Sequence, residues 1–233
     1  MIKSKDCNFF LSIGANDIKF EAIDINDEII FSKNELIDNL SNRKNLEVLE
    51  EFLKNNIFDI EKELNNYVEN INLILEHKDF LFVNLSMKYN YDGTSFNLNH
   101  LNSSLTELKK HFQHTIGNFE IIHTVINKFI LDGQVYSQFI ETSSYNKISI
   151  EIKFICLNRS TVKNLKNILS KYQILVKNII CFKYLQEFEN FNNSKSTIIA
   201  QKVLNGLNQN EIFYKKKSSK KHGFFEKFFN YFN

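Results

Sequence analysis

The chain has 233 residues, of which 43% are hydrophobic and 24% are charged, and its formal net charge is +2. These values are ordinary for a folded chain with a sizeable core, and they exclude a disordered or collagen-like protein. The charge is too small to indicate a nucleic-acid-binding protein by itself, and no apolar run reaches the roughly 18 residues that a transmembrane helix needs.

The N-terminal third predicts three strands followed by a helical region. Residues 8–31 contain short apolar or alternating runs, separated by turns at residues 14–17 and 26–27, which is typical of strands. Residues 45–75 change to helical spacing, with a break near Asn55-Asn56. The predicted apolar faces of this region are Leu46, Leu49, Phe52 and Leu53, and then Leu64, Val68, Ile71 and Leu75.

The middle of the chain predicts a strand, a helix and two further strands. Alternation returns over residues 80–91, where the predicted inward side chains are Phe80, Phe82, Leu85 and Met87. Ser103 or Ser104 is predicted to cap a helix that ends at Gly117, because Glu107 stands in capping-box position. The predicted buried stripe of this helix is Leu105, Leu108, Phe112 and Ile116. Extended segments follow at residues 120–131 and 147–156.

The next part of the chain predicts a helix, a short strand and a last helix. Asn158-Arg159-Ser160 is predicted to cap a helix that runs to about Tyr172. Its predicted inward residues are Val162, Leu165, Ile168 and Leu169. A buried strand at residues 179–182 and a helix at 195–205, ended by Gly206, complete a mixed α/β (α+β) fold.

The C-terminal residues differ in kind from the rest of the chain. Residues 211–222 form a predicted basic linker whose lysines are Lys215, Lys216, Lys217, Lys220 and Lys221. Residues 223–233 form a predicted helix, and five of its side chains fall within roughly 140° of the helical wheel. These five are Phe224, Phe225, Phe228, Phe229 and Phe232. The pattern indicates an in-plane amphipathic anchor whose phenylalanines face lipid and whose lysines contact an anionic leaflet.

Two other interpretations of this tail stay open. The helix could dock on the core of its own domain, although a linker of five lysines is poor packing material. The lysines could bind nucleic acid, but the phenylalanines cluster on one face instead of alternating with bases. We therefore expect a lipid surface as the partner of the tail and no nucleic acid.

The sequence shows little sign of catalytic chemistry. No two of the six glycines are close neighbours, whereas a phosphate cradle needs closely spaced ones. His111 and His114 stand three apart on a predicted helix, away from its apolar stripe, so we expect no metal site. Cys156 and Cys181 lie in apolar strands as inert thiols, and the three cysteines favour a reducing compartment over a disulfide scaffold. We expect no enzyme.

Several segments, taken in order, resemble FtsA, a family of actin-like bacterial cell-division proteins. Residues 10–15, Phe-Leu-Ser-Ile-Gly-Ala, are similar to its first strand and first phosphate loop, normally Asp-x-Gly-Thr or Asp-x-Gly-Ser. Residues 122–133 are similar to the strand of the family that ends in Ile-Asp-Gly, and residues 148–156 and 161–182 to the stretch that follows. The phosphate loop is degenerate, since Ser12 replaces the aspartate, Gly14 is kept, and Ala15 replaces the hydroxyl residue.

The resemblance implies one lobe of the actin-like fold. Residues 1–83 with 157–210 would form the sheet subdomain, and residues 84–156 the inserted strand-helix-strand-strand subdomain. By the resemblance, the second lobe, with the second phosphate loop, would follow Phe182, and we expect it to be missing, because residues 184–195 read as a polar connector into the helix that closes the first lobe. The resemblance therefore implies no nucleotide cofactor, and it makes the contact of that lobe with FtsZ doubtful.

The function implied is a non-catalytic, membrane-tethered scaffold of the bacterial division machinery. It would lie at the cytoplasmic face of the inner membrane, at the division site, and contact other division proteins through the inserted subdomain, with self-association left open. Two alternatives remain: an actin-like ATPase completed by a partner chain or by dimerisation, and an actin-like adaptor of pilus or secretion assembly.

Overall fold

The computed structural model describes residues 7–37, 45–90, 98–138, 145–188, 191 and 195–212. Over these residues the chain forms two sheets with helices packed against them. In chain order the elements are β1 (Cys7–Ile13), β2 (Asp17–Asp24), β3 (Ile29–Leu36), α1 (Asn45–Leu64), β4 (Asn70–Leu75), β5 (Leu81–Asn90), α2 (Leu98–Thr115), β6 (Phe119–Leu131), β7 (Gln134–Tyr136), β8 (Lys147–Asn158), α3 (Arg159–Ser170), β9 (Leu175–Cys181), α4 (Phe182–Leu185) and α5 (Ser196–Leu204). The predicted mixed α/β class is confirmed.

The first sheet has the order β3-β2-β1-β4-β9. Strands β1, β2 and β3 pair antiparallel, whereas β4 and β9 run parallel to β1. Parallel strands need a crossover connection, and α1 and α3 provide such connections. Both of these helices pack on one face of the sheet, and α4 and α5 pack on the other, so both faces are covered.

Two separate apolar cores cover the faces of this sheet. Alternate side chains of β1, such as Leu11, pack with α1 and α3 on one face. Phe10 on the opposite face packs with α4 and α5, together with Ile74 of β4 and Ile180 of β9. The second core also contains Val125 and Ile155 from β6 and β8, so it joins the two sheets.

The second sheet has the order β5-β8-β6-β7 and is antiparallel throughout. Helix α2 covers one face of it, with Leu105 and Phe112 buried against β6 and β8. The rings of Phe112 and Phe154 meet edge to face, with their centroids 5.1 Å apart.

The structure corrects the predicted helix over residues 45–75. Helix α1 continues through Asn55-Asn56 and ends at Leu64, and residues 70–75 form strand β4 instead of a second helical segment. Ile71 to Leu75 are all buried, because β4 lies between β1 and β9 with both faces covered. The apolar residues Leu73, Ile74 and Leu75 are consecutive, so β4 lacks the alternation that reveals a strand buried on one face only.

One other local prediction is wrong. Helix α2 begins at Leu98, so Ser103 and Ser104 lie inside it and do not cap it. The predicted inward residues near β5 do pack inward, but against different cores: Leu85 and Met87 pack toward α2, whereas Phe82, and Phe80 just before the strand, pack into the core that joins the sheets.

Helix α3 agrees with its prediction in both its cap and its buried stripe. The Asn158 side chain accepts a hydrogen bond from the Ser160 backbone N–H, and Val162, Leu165, Ile168 and Leu169 are buried. In the described part of the chain, the helices are all too short or too polar to cross a membrane.

Candidate functional site

The segment that the sequence comparison likens to a phosphate loop is a tight turn between β1 and β2. Gly14 donates its backbone N–H to the Asp17 carbonyl at 2.9 Å, and a Cβ on Gly14 would fall 2.5 Å from Asp17 Oδ1. The Ser12 hydroxyl is buried and makes no hydrogen bond to any described residue. The turn is closed by its own contacts, and Ser12 supplies no charge to it.

The carboxylate of Glu76 accepts a hydrogen bond from a backbone amide of this turn, one that a bound phosphate would need. The Ala15 backbone N–H donates to Glu76 Oε2 at 3.1 Å, and the Glu76 N–H donates to the Ile13 carbonyl at 3.0 Å. Phosphate sites are built from free backbone N–H groups and avoid nearby negative charge. The geometry of this turn therefore disfavours an anion.

The residues considered for metal or thiol chemistry do not form a site. Both His111 and His114 lie on the exposed side of α2, and His111 Nε2 is 3.8 Å from Glu107 Oε1. The described ranges contain no group of three or more histidine, cysteine or acidic residues that could hold a metal ion. Burial raises the pKa of Cys156 to about 12 and also raises the pKa of Cys181, which keeps both thiols protonated and unreactive.

A groove of about 1020 Å³ lies between the two sheets. Its walls come from residues 120–122 and Thr124 of β6, residues 176–179 of β9, the end of α5 and residues 211–212. We call this feature the inter-sheet groove.

Open strand edges border the inter-sheet groove. Strand β9 is the last strand of its sheet, and β7 pairs with β6 only at residues 129–131. Residues 210–212 cover the β6 edge at residues 124–126. Among the described residues, no strand covers residues 119–123 of β6 on this side or the outer edge of β9. An open edge presents backbone N–H and C=O groups that can pair with another strand.

The side chains of the inter-sheet groove combine an apolar floor with a basic rim. The apolar residues are Ile121, Ile122, Val176, Ile179, Leu204 and Ile212. Lys109, Lys166 and Lys177 line the groove together with two carboxylates, Glu120 and Glu211.

The two carboxylates are already engaged within the chain. Lys166 Nζ lies 3.7 Å from Glu120 Oε1, and Glu211 forms a hydrogen bond with the buried side chain of His123. Burial lowers the pKa of Lys109, partly opposed by Glu120. The exposed ammonium of Lys177 gives the rim a positive character.

A buried polar network fixes residues 208–212 beside the groove. His123 Nδ1 lies 2.7 Å from Glu211 Oε1, and the Tyr184 hydroxyl donates to Glu211 Oε2 at 2.7 Å. Asn208 Nδ2 donates to the Tyr184 hydroxyl at 2.9 Å. The Cys181 backbone N–H donates to His123 Nε2 at 3.1 Å, which leaves the proton of a neutral ring on Nδ1, pointing at Glu211.

Every charge in this network is shielded from water. His123, Tyr184 and Glu211 are all buried. Burial, and then the neighbouring Glu211 carboxylate, raise the pKa of Tyr184 far above its usual value. No local sequence pattern indicates this network, because His123 and Glu211 are 88 positions apart.

The predicted lipid-binding residues lie outside the described residues. All five lysines and all five phenylalanines belong to residues 213–233. The basic linker and the amphipathic helix therefore remain sequence predictions.

No family model and no curated protein matches this chain. Solved structures similar to it include a PilM–PilN type IV pilus biogenesis complex, at 10% identity and a TM-score of 0.47 over 76% of this chain and 48% of that one. Another is the cytoplasmic domain of EpsL, an inner-membrane component of the type II secretion system of Vibrio cholerae, at 10% identity and a TM-score of 0.40 over 77% and 59%. A third is a Bacteroides thetaiotaomicron protein of unknown function with an actin-like ATPase fold, at 12% identity and a TM-score of 0.35 over 80% and 57%.

These likenesses describe the fold only. The chain spans 48% to 59% of the length of the three structures. None of the three is an FtsA, so the resemblance to that family remains a prediction from the sequence.

Proposed function

We propose that this chain is a non-catalytic adaptor that binds an extended segment of a partner protein in the inter-sheet groove. The observation that carries the proposal is the pair of open strand edges, from β6 and β9, that border one groove. A strand added to such an edge gains affinity from backbone hydrogen bonds and specificity from its alternate side chains. The chain uses this mode itself, since residues 210–212 pair antiparallel with β6.

The composition of the groove defines the partner segment. Its apolar floor fits a strand with apolar side chains at alternate positions. Its basic rim, with Lys177 exposed, favours acidic side chains at the positions that face outward. The expected occupant is therefore an extended peptide that alternates between apolar and acidic residues.

We propose that the chain does not hydrolyse nucleotides, because the β1–β2 turn is poorly suited to bind Mg²⁺ or phosphate. Ser12 cannot bind or orient a magnesium-bound water as an aspartate would. The Glu76 carboxylate takes the Ala15 amide that a phosphate would use. Calorimetry with Mg²⁺ and ATP should therefore show no binding, and a measurable heat of binding would favour the rival actin-like ATPase.

Peptide binding can be tested with synthetic strands of about nine residues that alternate valine with aspartate or valine with lysine. The valine–aspartate peptide should bind more tightly, as measured by fluorescence polarisation. Lys177→Glu should weaken its binding by roughly threefold to tenfold, whereas Lys163→Glu, the same charge change on exposed α3 outside the groove, should not.

Backbone pairing has its own control within the peptide. In an extended strand, alternate amides face each neighbouring strand. N-methylation of one alternate set should abolish binding, whereas N-methylation of the other set should have little effect. Because residues 210–212 already pair with β6, we expect the partner strand to pair with the β6 edge and to contact β9 through side chains only. Equal effects of the two sets would contradict pairing at the β6 edge alone.

The assembly that this adaptor serves is a separate part of the proposal. We propose a membrane-associated machine of the type named for two of the neighbours, type IV pilus biogenesis or type II secretion. The division machinery is the second candidate, supported by the order of the FtsA-like motifs. A fluorescent fusion in the native host that forms a midcell band would favour division.

Membrane attachment is proposed for the C-terminal residues. Each phenylalanine contributes at most about 1.5–3 kcal/mol when fully buried, and each lysine near an anionic leaflet about 1 kcal/mol. The full chain should therefore sediment with vesicles that contain phosphatidylglycerol, and a chain that ends at His222 should not. Sedimentation of the shortened chain to the same extent would exclude the tail as the anchor.

A further inference from the structure

The segment at residues 208–212, which we call the strap, lies on the same strand edge that continues into the groove. The Ile126 N–H donates to the Asn210 carbonyl at 2.9 Å, and the Ile212 N–H donates to the Thr124 carbonyl at 2.8 Å. Glu211 stands opposite Val125 between these two bonds, in an antiparallel bridge. The strap therefore occupies the β6 edge at residues 124–126, next to the open edge at 119–123.

The buried attachment of the strap is concentrated on one side chain. Glu211 accepts hydrogen bonds from His123 and Tyr184 in the interior of the protein. Of the other side-chain hydrogen bonds of the strap, the one from Asn208 Nδ2 to the Tyr184 hydroxyl is partly buried, and those from Gln138 to Gln209 Oε1 and from Asn210 Nδ2 to the Ser137 carbonyl lie at the surface. A buried, charge-assisted pair of hydrogen bonds stabilises more than exposed neutral ones.

We infer that the strap is an intramolecular competitor for the inter-sheet groove, held in place by Glu211, and that it limits the length of the strand that the groove accepts. This inference rests on the proposed function. A short partner strand pairs with β6 only up to His123 and leaves the strap undisturbed. A longer one needs the Thr124–Ile126 edge, and it gains those bonds only by displacing the strap.

The competition has a defined thermodynamic form. A ligand that binds only the strap-released state has its apparent affinity reduced by the fraction of molecules in that state. A substitution that weakens the hydrogen bonds of Glu211 raises the fraction of molecules in the strap-released state. It therefore tightens the binding of long strands and leaves the binding of short ones unchanged.

Glu211→Gln is the sharpest variant, because it keeps the shape of the side chain. The side-chain amide nitrogen of glutamine would face either the His123 Nδ1–H, donor against donor, or the Tyr184 hydroxyl, which would have to accept instead of donating. His123 cannot change tautomer without pointing a second N–H at the Cys181 amide. In either orientation the charge-assisted pair of hydrogen bonds is replaced by weaker, neutral contacts. Gln209→Ala is the matched control, since Gln209 is an exposed residue of the same strap.

The experiment compares two valine–aspartate peptides. One of about five residues matches the open β6 edge at residues 119–123, and one of about eight residues matches that edge together with residues 124–126, which the strap covers. For the native chain and for Gln209→Ala, the longer peptide should gain little affinity. For Glu211→Gln and Glu211→Ala, it should bind on the order of tenfold more tightly than the shorter one, as expected for one or two additional hydrogen bonds. Equal length dependence in all four proteins would overturn the inference.

Hydrogen–deuterium exchange separates failure of this inference from failure of the proposed function. Exchange at the Ile126 and Ile212 amides should rise in the Glu211 variants, while the amides of β8 stay protected as a check on folding. If the Ile126 and Ile212 amides exchange faster in the Glu211 variants but no protein binds either peptide, the groove is refuted as a binding site. The role of Glu211 in holding the strap would then still be supported. Tight binding of both peptides to the native chain, with unchanged exchange in the variants, would refute the role of the strap alone.

Discussion

Phe154→Ala should lower the free energy of unfolding by about 3–5 kcal/mol, the range for truncating a fully buried phenylalanine. Phe154 is 0% exposed in the central strand of the second sheet, and its ring meets Phe112 of α2. The substitution leaves a cavity between the sheet and the only helix that covers this face among the described elements. Urea unfolding followed by circular dichroism measures the change.

Phe58→Ala is the matched control for that experiment. Phe58 lies on α1 with 73% of its side chain exposed, so its truncation should change the free energy of unfolding by less than about 0.5 kcal/mol. A comparable loss in the two variants would contradict the core assigned to the second sheet.

Ser12→Asp, which restores the acid of the FtsA-like phosphate loop, should destabilise the protein by about 3 kcal/mol or more. The Ser12 hydroxyl is buried on the β1 face that carries Phe10 and has no hydrogen-bond partner in the described structure. A carboxylate there would be a buried charge without compensation. Ser12→Ala should be neutral or stabilising by up to about 1 kcal/mol, since it removes an unsatisfied polar group.

Nucleotide binding gives the Ser12 variants a second readout. We expect no Mg²⁺–ATP binding by the native chain or by Ser12→Asp, because Glu76 still takes the Ala15 amide. Thermal denaturation with and without Mg²⁺–ATP measures this directly. Stabilisation of Ser12→Asp by the nucleotide would show that the turn has kept the geometry of a phosphate site.

Elements with a local signature could be predicted from the sequence. Helix α3 has its cap at Asn158 and its apolar stripe within one stretch of chain, and both are confirmed. Strand β4 was missed because its burial depends on β1 and β9, which flank it in space, and because Leu64, Val68, Ile71 and Leu75 also fit a helical spacing. Periodicity reports one buried face, so it fails where both faces are covered.

The candidate site was less accessible to sequence reasoning than the fold. The turn after β1 could be predicted, because residues 14–17 carry its signal within one short stretch of chain, whereas its comparison with a phosphate loop stays a prediction. The role of Glu76 could not, since it reaches Ala15 only because β1 and β4 pair in parallel. The inter-sheet groove depends on which strands lie at sheet edges, and the sequence does not encode that locally.

Chemical-shift perturbation of the backbone amides tests the central claim most directly. Titration with the valine–aspartate peptide should shift the amides of β6 at residues 119–123 and of β9 at residues 175–179, whereas titration with Mg²⁺–ATP should leave residues 12–17 unchanged. Nucleotide-dependent shifts in the β1–β2 turn, together with no response to the peptide at β6 and β9, would contradict the proposed adaptor function. That result would favour the alternative function of an actin-like ATPase.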